Sequence, residues 1–304
     1  MEKPICLITG ATEGVGKATA MELARKDFAV VIAARNEAKA EAVTREITTA
    51  TGNSRVDYIL TDFKSLTQTQ QLAEKFKQRY PRLDVLINNA GIFSPTLGNE
   101  GGYFAQARSL TSDGYETIYQ VNYLAPFYLT HLLLDEIKKS EQGRVVNLSS
   151  SVHSMGKFDI NNLQGEKQFS TMSAYSTSKL LVLMFTLELA RRLRDTRITA
   201  NAVHPGIVRT QMMRLAPGIF KVVALMSLPV SVTPQKGAET SVYVASSAEV
   251  KGVSGKYFAN SKVANIKSKF TTDRDLELLW NTTVKSLQQG KAWVHADPLM
   301  QSVS

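Results

Sequence analysis

The segment ICLITGATEGVGKATAMELA, residues 5–24, gives the strongest indication of the fold. Its first five residues form an apolar run with β-branched members, which predicts a buried strand, and its second half repeats apolar residues at helical spacing. Between the two lie Gly10, Gly14 and Gly16. Glycine permits a tight turn and lets a backbone approach a diphosphate, whose charge a helix N-terminus favours. A purely structural turn is the alternative, but the position between a strand and a helix favours nucleotide binding.

The same alternation of short apolar runs and longer helical patterns continues along the chain. We predict strands at 5–9, 29–34, 56–61, 84–88, 144–149, 198–203 and 255–258. We predict helices at about 15–27, 36–51, 65–79, 112–139, 174–194 and 234–247. Strands joined through helices are parallel, and such a sheet is covered on both faces. The sequence therefore predicts an α/β fold: a single doubly wound Rossmann-type domain over residues 1–304 with a seven-stranded parallel sheet. Two excursions, 93–111 and 204–233, should emerge beyond the carboxyl ends of the strands, where ligands bind in such sheets.

The composition narrows the class of protein. Of 304 residues, 43% are hydrophobic and 21% are charged, as in ordinary soluble globular proteins. The single cysteine, Cys6, and four scattered histidines provide neither a disulfide framework nor metal-ligand spacing, so we expect no metal. The net charge of +9 comes from dispersed basic residues without a nucleic-acid-binding module, so we expect no nucleic-acid partner. No apolar stretch reaches the ~18 residues of a membrane span and no signal peptide precedes residue 5, which predicts no transmembrane segment and a cytoplasmic location.

The segment SAYSTSK, residues 173–179, places a phenol and an ammonium on one helix face. Tyr175 and Lys179 are four residues apart, which is about one helical turn. A nearby ammonium favours the phenolate and lowers a pKa that is ordinarily about 10, which would make a proton donor for neutral pH. The alternative is a half-exposed tyrosine beside a solvated lysine, because Y-x-x-x-K alone is a short motif.

The predicted helix 112–139 contains Pro126. Proline has no N–H, so the carbonyl of Asn122, four residues earlier, loses its helical partner. A kinked helix with a free carbonyl can hold a water molecule. An incidental proline kink is the alternative.

Five motifs, in their order and spacing, resemble the short-chain dehydrogenase/reductase family. They are the glycine loop TGATEGVG, NNAG after the fourth strand, RVVNLSSS in the fifth, the Y-x-x-x-K pair, and HPGIVRT after the sixth; TDF after the third strand agrees with them. The resemblance covers essentially the whole chain and is strongest to the retinol-dehydrogenase-like branch. That branch carries inserts similar to VHSMGKFDINNLQGEKQFS, residues 152–170. It implies a nicotinamide cofactor and the interconversion of an alcohol and a carbonyl compound.

The resemblance also implies four catalytic residues. Tyr175 would be the general acid/base, and Lys179 would lower its pKa while holding the ribose of the nicotinamide. Asn122 would hold a water that links the lysine to solvent. Among the three consecutive serines 149–151, the branch pattern puts the catalytic hydroxyl on Ser150 and leaves the first serine at the strand end.

The expected cofactor is NADP(H). NAD-specific enzymes usually end the second strand with an acidic residue that binds the ribose 2′-hydroxyl. Here Ala34 stands at that place and Arg35 follows, and a guanidinium can bind a 2′-phosphate in bidentate fashion. Lys39, one turn on, can assist. Glu13 in the glycine loop argues against this assignment, because its carboxylate would repel a phosphate.

The cofactor contacts implied by the resemblance run from the glycine loop, past the adenine-contacting aspartate and NNAG, to the loop on the nicotinamide side. They are Gly10, Thr12, Glu13, Gly14, Val15, Gly16, Arg35, Asp62, Asn89, Tyr175, Lys179, Pro205 and Val208.

The substrate class follows from LAPGIFKVVALMSLPVSV, residues 215–232, within the second excursion. This apolar stretch can be a buried core helix, a lid over the site, or a surface with weak membrane association. Its resemblance to the family's substrate loop favours the lid, and hence a hydrophobic small-molecule alcohol, aldehyde or ketone as substrate.

Two other functions stay open from the sequence. One is a non-catalytic NADP(H)-binding redox sensor or scaffold, against which the four intact catalytic positions argue. The other is a protochlorophyllide-reductase-like enzyme, which is disfavoured because those enzymes carry several cysteines. The family often forms homo-oligomers through the helices at 112–139 and 174–194, and the apolar faces of these helices are compatible with that.

Overall fold

Eight strands form one sheet in the computed structural model, which describes residues 3–93, 108–208 and 231–289. The strands are β1 Ile5–Thr9, β2 Ala29–Ala34, β3 Val56–Leu60, β4 Val85–Asn88, β5 Arg144–Leu148, β6 Thr199–His204, β7 Tyr257–Ala259 and β8 Lys262–Val263. Their order across the sheet is β3-β2-β1-β4-β5-β6-β7-β8, and β1 to β7 pair in parallel. The sequence-based α/β doubly wound fold is confirmed.

The eighth strand is one more than we predicted, and it is antiparallel to β7. The connection consists of Asn260 and Ser261, whose φ angles are 51° and 57°. Two central residues with positive φ match the tight turn whose twist suits an antiparallel hairpin. The chain therefore folds back at once and adds a short edge strand.

Helices cover both faces of the sheet. They are α1 Gly14–Arg25, α2 Glu37–Thr51, α3 Leu66–Arg79, α4 Thr117–Tyr119, α5 Ala125–Leu132, α6 Leu134–Lys138, α7 Thr171–Arg192, α8 Pro234–Ser246 and α9 Asp273–Gln289. Several begin after a side chain that accepts a backbone N–H, as helix N-termini require. These side chains belong to Asn36, Ser65, Ser170 and Thr233.

The prediction of one continuous helix over 112–139 is wrong. This segment consists of α4, a π-helical turn at Gln120–Leu124, α5 and α6. The N–H of Ala125 donates to the carbonyl of Gln120, five residues back, and Pro126 has no N–H to donate. The wider π-helical turn therefore accommodates Pro126, which we expected to kink the helix.

The two faces of the sheet carry separate apolar cores. One packs side chains of α3, α5, α7 and α9, and the other packs those of α1, α2 and α8. We did not predict α9, although its buried residues Leu276, Leu279, Trp280 and Leu287 follow helical spacing. Within the described ranges, no helix is long and apolar enough to cross a membrane.

Helix α9 bears on the expected oligomer interface. The ring of Trp280 packs edge-on against Phe127 of α5, with 5.0 Å between ring centroids, and lies near Phe185 of α7. Much of α5 and α7 is therefore buried within a single chain. A homo-oligomer through these helices stays a prediction, and it would have to form around α9.

The two predicted excursions fall largely outside the described residues. This holds for 94–107 and for 209–230, which include most of the apolar stretch 215–232. The base of the second excursion is described: Val208 bridges Val232, and the N–H of Val232 donates to the carbonyl of Ile207 at 2.8 Å. The excursion therefore leaves and rejoins the fold at one point, beside the end of β6.

Candidate active site

The glycine loop between β1 and α1 is held in shape by backbone geometry. Gly10 and Gly14 have φ angles of 66° and 58°, which favour glycine. A Cβ on Gly16 would lie 2.5 Å from both the side-chain nitrogen of Asn89 and the carbonyl oxygen of Gly10. The Asn89 amide donates to the carbonyls of Thr9, at 2.7 Å, and of Gly10, at 2.9 Å. Asn89 therefore braces the loop.

The first turn of α1 suits a diphosphate. Its N-cap residue is Glu13, whose side chain makes no capping hydrogen bond. Gly14 leaves open space where a Cβ would stand, and Thr12 is half-buried beside it. Backbone N–H groups and the positive end of the helix are the donors that a diphosphate needs, so this part of the chain fits a nicotinamide dinucleotide.

The residues expected to distinguish NADP(H) from NAD(H) lie after β2 and in the glycine loop. Arg35 follows β2, is exposed, and has no hydrogen bond or ion pair with any other residue in the described parts of the chain. Lys39 lies 3.6 Å from the carboxylate of Glu13. We suggested that Lys39 assists a 2′-phosphate and that Glu13 opposes it. The structure pairs these two with each other, which leaves Arg35 as the unengaged cation.

Asp62 lies at the end of β3, as predicted, in a half-buried position. Its Oδ1 accepts the N–H of Lys64 at 3.0 Å, and its own N–H donates to Gln68 Oε1 at 2.9 Å. These bonds fix the turn that leads to α3. The contact of Asp62 with adenine stays a prediction.

The residues expected at the nicotinamide end meet around Gly237, near the start of α8. A Cβ on Gly237 would lie 2.7 Å from Val208 Cγ2, 3.1 Å from the carbonyl oxygen of Pro205 and 3.2 Å from Val15 Cγ2. The structure therefore brings the glycine loop and the loop after β6 together. Gly237 was not among the residues predicted for the site, because its only sequence signal is a lone glycine in a helical pattern.

Lys179 is buried beside β5. Its Nζ donates to the carbonyl of Leu148 at 2.9 Å. Burial lowers the pKa of this ammonium to about 8. Lys179 Nζ and Asn122 Oδ1 both lie close to Gly91, where a Cβ would be 3.4 Å and 3.3 Å from them.

Asn122 lies in the π-helical turn and spans two segments with its side chain. Its Oδ1 accepts the N–H of Ile92 at 2.7 Å, and its Nδ2 donates to the carbonyl of Ile92 at 2.9 Å and to Ser178 Oγ at 3.0 Å. Both N–H groups of the side-chain amide are therefore used in joining Ile92, the residue after NNAG, to α7. The water that the resemblance implies at the backbone carbonyl of Asn122 stays a prediction.

Tyr175 lies in the first turns of α7 and is half-buried. Its ring packs edge-on against Phe93, with 5.0 Å between centroids, and Lys179 Nζ is 5.7 Å from its centroid. We expected the lysine to lower the pKa of the phenol. Burial instead raises it to about 12, so the expected lowering is wrong for this structure. Phe93, two residues after NNAG, carried no sequence signal.

The three serines take different positions. Ser149 is buried, and its hydroxyl donates to the carbonyl of Lys179 at 2.8 Å, so it joins β5 to α7. Ser150 begins the 3-10 turn Ser151–Met155, and its Oγ accepts the N–H of Val152 at 3.4 Å. That bond leaves the hydroxyl proton of Ser150 available. The geometry is compatible with our choice of Ser150 over its neighbour.

Sequence comparisons find named relatives for this chain. A family model described as short chain dehydrogenase matches residues 4–217. Retinol dehydrogenase 12 of Mus musculus is 39% identical over 283 residues, which cover 93% of this chain and 86% of that protein. Retinol dehydrogenase 14 of Homo sapiens is 39% identical over 295 residues, with coverages of 90% and 83%.

Structural comparisons agree. A crystal structure of an uncharacterized protein from Mycobacterium paratuberculosis has a TM-score of 0.72 at 28% identity and covers 95% of this chain and 93% of that one. A short chain dehydrogenase from Escherichia coli CFT073, crystallised in complex with NADPH, has a TM-score of 0.64 at 26% identity. The latter match covers 86% of this chain and 98% of that one.

Proposed function

Because this chain belongs to the short-chain dehydrogenase family, we propose that it is an NADP(H)-dependent oxidoreductase that interconverts a hydrophobic alcohol and its aldehyde or ketone. The observation that carries the proposal is the meeting of Asn122, Tyr175 and Lys179 around the NNAG segment, with Ser150 at the adjoining end of β5. A proton donor, a buried ammonium and a free hydroxyl at one sheet edge are what carbonyl reduction requires.

Bound NADPH supplies the hydride for the carbonyl carbon. The chain's own residues handle the oxygen. The Ser150 hydroxyl donates a hydrogen bond to it, since the bond that Oγ accepts from the N–H of Val152 leaves the hydroxyl proton unused. Tyr175 delivers the proton from Oη. Since the pKa of Tyr175 is raised to about 12, this proton stays in place at neutral pH, which suits the direction from carbonyl to alcohol.

Lys179 has a supporting role in this proposal. One of its three N–H groups is used on the carbonyl of Leu148, so two remain for a ribose hydroxyl and a water. The backbone carbonyl of Asn122 would accept that water, while its side chain keeps NNAG and α7 at a fixed distance. Lys179 and this water would then connect the site with solvent, from which the proton on Tyr175 is replaced.

The choice of NADP(H) over NAD(H) rests on the end of β2. Ala34 offers no carboxylate to a 2′-hydroxyl, and the guanidinium of Arg35 is exposed and unengaged within the described ranges. The carboxylate of Glu13 faces Lys39, which reduces its repulsion of a phosphate. The Escherichia coli relative described above was crystallised with NADPH.

The hydrophobic substrate is supported by the relatives, which are named retinol dehydrogenases. It is also supported by the composition of the apolar stretch 215–232, whose entry and exit at Val208 and Val232 lie next to the loop after β6. We retain the lid as our proposal for this stretch. The cytoplasmic location also stays a prediction.

The decisive experiment is a substrate screen in which consumption of the reduced cofactor is measured by its absorbance. Butanal, octanal, dodecanal and a polyene aldehyde would be compared with glyceraldehyde, each with NADPH and with NADH. We expect kcat/KM to rise with chain length and to be higher with NADPH. Tight NADPH binding without turnover on any carbonyl would favour the sensor or scaffold, and a flat or falling chain-length series would refute the apolar lid.

The role of Arg35 in the preference for NADP(H) can be tested with one substitution. Arg35→Gln should lower kcat/KM for NADPH by about 10- to 100-fold, since a hydrogen bond between charged groups contributes about 1.5–3 kcal/mol. The value for NADH should stay within a factor of about two. Lys251→Gln, a change at an exposed cation in the turn before β7, is the control. Equal losses with both cofactors would contradict the role of Arg35.

A further inference from the structure

The peptide bond between Ser150 and Ser151 is held at both ends by imidazole rings. Its carbonyl oxygen, on Ser150, lies 2.6 Å from His153 Nδ1 and also accepts the N–H of His153 at 3.1 Å. Its N–H, on Ser151, donates to His204 Nδ1 at 3.2 Å. One histidine comes from the 3-10 turn after β5 and the other from the end of β6. We call this arrangement the histidine clamp.

The two contacts require opposite tautomers. A carbonyl oxygen can only accept, so His153 carries its proton on Nδ1. Its Nε2 is buried without a hydrogen-bond partner among the described residues, and the ring packs edge-on against Tyr257 at 4.9 Å. The N–H of Ser151 can only donate, so His204 accepts with a bare Nδ1 and carries its proton on Nε2.

Their surroundings favour the uncharged form of both rings. Burial lowers the pKa of His153. Burial also lowers the pKa of His204, and the neighbouring His153 lowers it further. A neutral ring is needed at His204, because a proton on Nδ1 would remove the acceptor for Ser151.

The clamp determines where the Ser150 hydroxyl points. Ser150 has extended backbone angles, φ −158° and ψ 159°, and its Oγ caps the 3-10 turn through Val152. Rotation of the peptide plane that follows would change ψ of Ser150 and φ of Ser151 and move the N–H of Val152 away from Oγ. Fixing this plane at both ends therefore keeps the N–H of Val152 in place as the donor to Oγ.

We propose that His153 and His204 are positioning residues that hold the Ser150–Ser151 peptide and thereby aim the Ser150 hydroxyl at the substrate oxygen. The proposal rests on the proposed function, in which this hydroxyl orients the carbonyl. His204 also begins the loop that contains Pro205, so the clamp ties the serine to the segment expected at the nicotinamide. Neither histidine touches the reacting atoms in this proposal.

Matched variants separate positioning from packing. Asparagine has the shape of leucine, and its amide can replace either contact, accepting from Ser151 or donating to the carbonyl of Ser150. His204→Leu should lower kcat about five- to tenfold, the effect of one lost hydrogen bond, with Kd for NADPH within about twofold. His204→Asn should keep at least about half of the activity. His153→Leu and His153→Asn should behave in the same way.

The double variant provides a sharper test. Both histidines act on one peptide bond, so His153→Leu combined with His204→Leu should lose little more than the worse single variant. The clamp would be refuted if the losses of kcat in the two single variants multiply in the double variant. It would also be refuted if the asparagine variants are no more active than the leucine variants. If His153→Leu does not fold, the His204 pair decides, because that side chain is only partly buried.

A readout independent of turnover distinguishes failure of the clamp from failure of the proposed function. Long-range nitrogen–proton NMR spectra of the wild-type protein with and without NADPH should show His153 as the Nδ1–H tautomer and His204 as the Nε2–H tautomer. The amide of Ser151 should exchange with solvent more rapidly in His204→Leu than in His204→Asn. The reverse tautomers, or unchanged exchange, would refute the clamp even in an active enzyme. Correct tautomers without turnover on any carbonyl would refute only the proposed function.

Discussion

The pKa of Lys179 makes NADPH binding depend on pH in a predictable direction. Burial lowers this pKa from its ordinary 10.5 to about 8, and Nζ already donates to the carbonyl of Leu148. Below pH 8 the residue is an ammonium with two free donors, and above pH 8 it becomes a neutral amine. We therefore expect NADPH affinity to fall as the pH rises from 7 to 9.5.

The size of the fall follows from the hydrogen bond that changes character. A hydrogen bond to a charged group contributes about 1.5–3 kcal/mol, against about 0.5–1.5 kcal/mol for a neutral pair. Loss of the charge should therefore raise Kd for NADPH about five- to tenfold. The lost charge also removes an electrostatic attraction to the phosphates, which acts in the same direction.

Stability of the protein without cofactor should change in the opposite direction. The folded pKa of Lys179 lies below the unfolded one, so the unfolded chain binds more protons between pH 8 and 10.5. The contribution of this residue to the free energy of unfolding should then rise by about 2 kcal/mol between pH 8 and pH 9.5. NADPH affinity that falls while the free energy of unfolding rises distinguishes this effect from alkaline denaturation, which would lower both.

The assay is fluorescence titration with NADPH at half-unit pH steps, together with urea unfolding of the free protein at each pH. Lys179→Met should abolish the pH dependence of both the Kd for NADPH and the free energy of unfolding. Lys251→Met, at an exposed turn, should retain both. A constant Kd between pH 7 and pH 9.5 in the wild type would refute the reasoning. So would equal slopes in the wild type and Lys179→Met.

Three further substitutions test the site. Tyr175→Phe should keep the Kd for NADPH within about twofold while turnover falls about 10²- to 10⁴-fold, because the ring still packs against Phe93 but carries no proton; steady-state kinetics with octanal would show it, and near-wild-type turnover would contradict the proposed chemistry. Gly237→Ala should weaken NADPH binding and cost about 1–3 kcal/mol in urea unfolding, since its Cβ would lie 2.7 Å from Val208 Cγ2; unchanged binding would show that this junction lies away from the cofactor. Asn122→Leu should cost roughly 2–4 kcal/mol, because three hydrogen bonds are lost and the buried groups they served are left unpaired; a loss under about 1 kcal/mol would refute the bracing role.

Features that depend on neighbours along the chain could be predicted from the sequence. Alternating strands and helices, the glycine loop and the spacing of Tyr175 and Lys179 are local patterns, and the structure places them as expected. The fold class followed from these patterns because a strand–helix–strand unit leaves few ways to cover a parallel sheet. The prediction that Pro126 disturbs its helix was also sound, since the missing N–H is a property of that residue alone.

Other features depend on groups that are far apart in the sequence, and they could be identified only from the folded chain. Spacing alone suggested that Lys179 lowers the pKa of Tyr175, but burial beside Phe93 raises it. The helix before Pro126 widens into a π-helical turn instead of kinking, and this depends on the backbone hydrogen bonds of that turn. Glu13 and Lys39 were assigned opposite effects on a phosphate, and the fold pairs them.

The histidine clamp shows the same division most plainly. In the sequence, His153 and His204 belong to two different segments and lie 51 positions apart. Their convergence on one peptide bond exists because β5 and β6 are adjacent in the sheet and end at the same edge. Local sequence sets which hydrogen bonds and backbone angles each residue can adopt. The packing of the whole chain sets burial, and with it the protonation state and the partners that each of these groups finds.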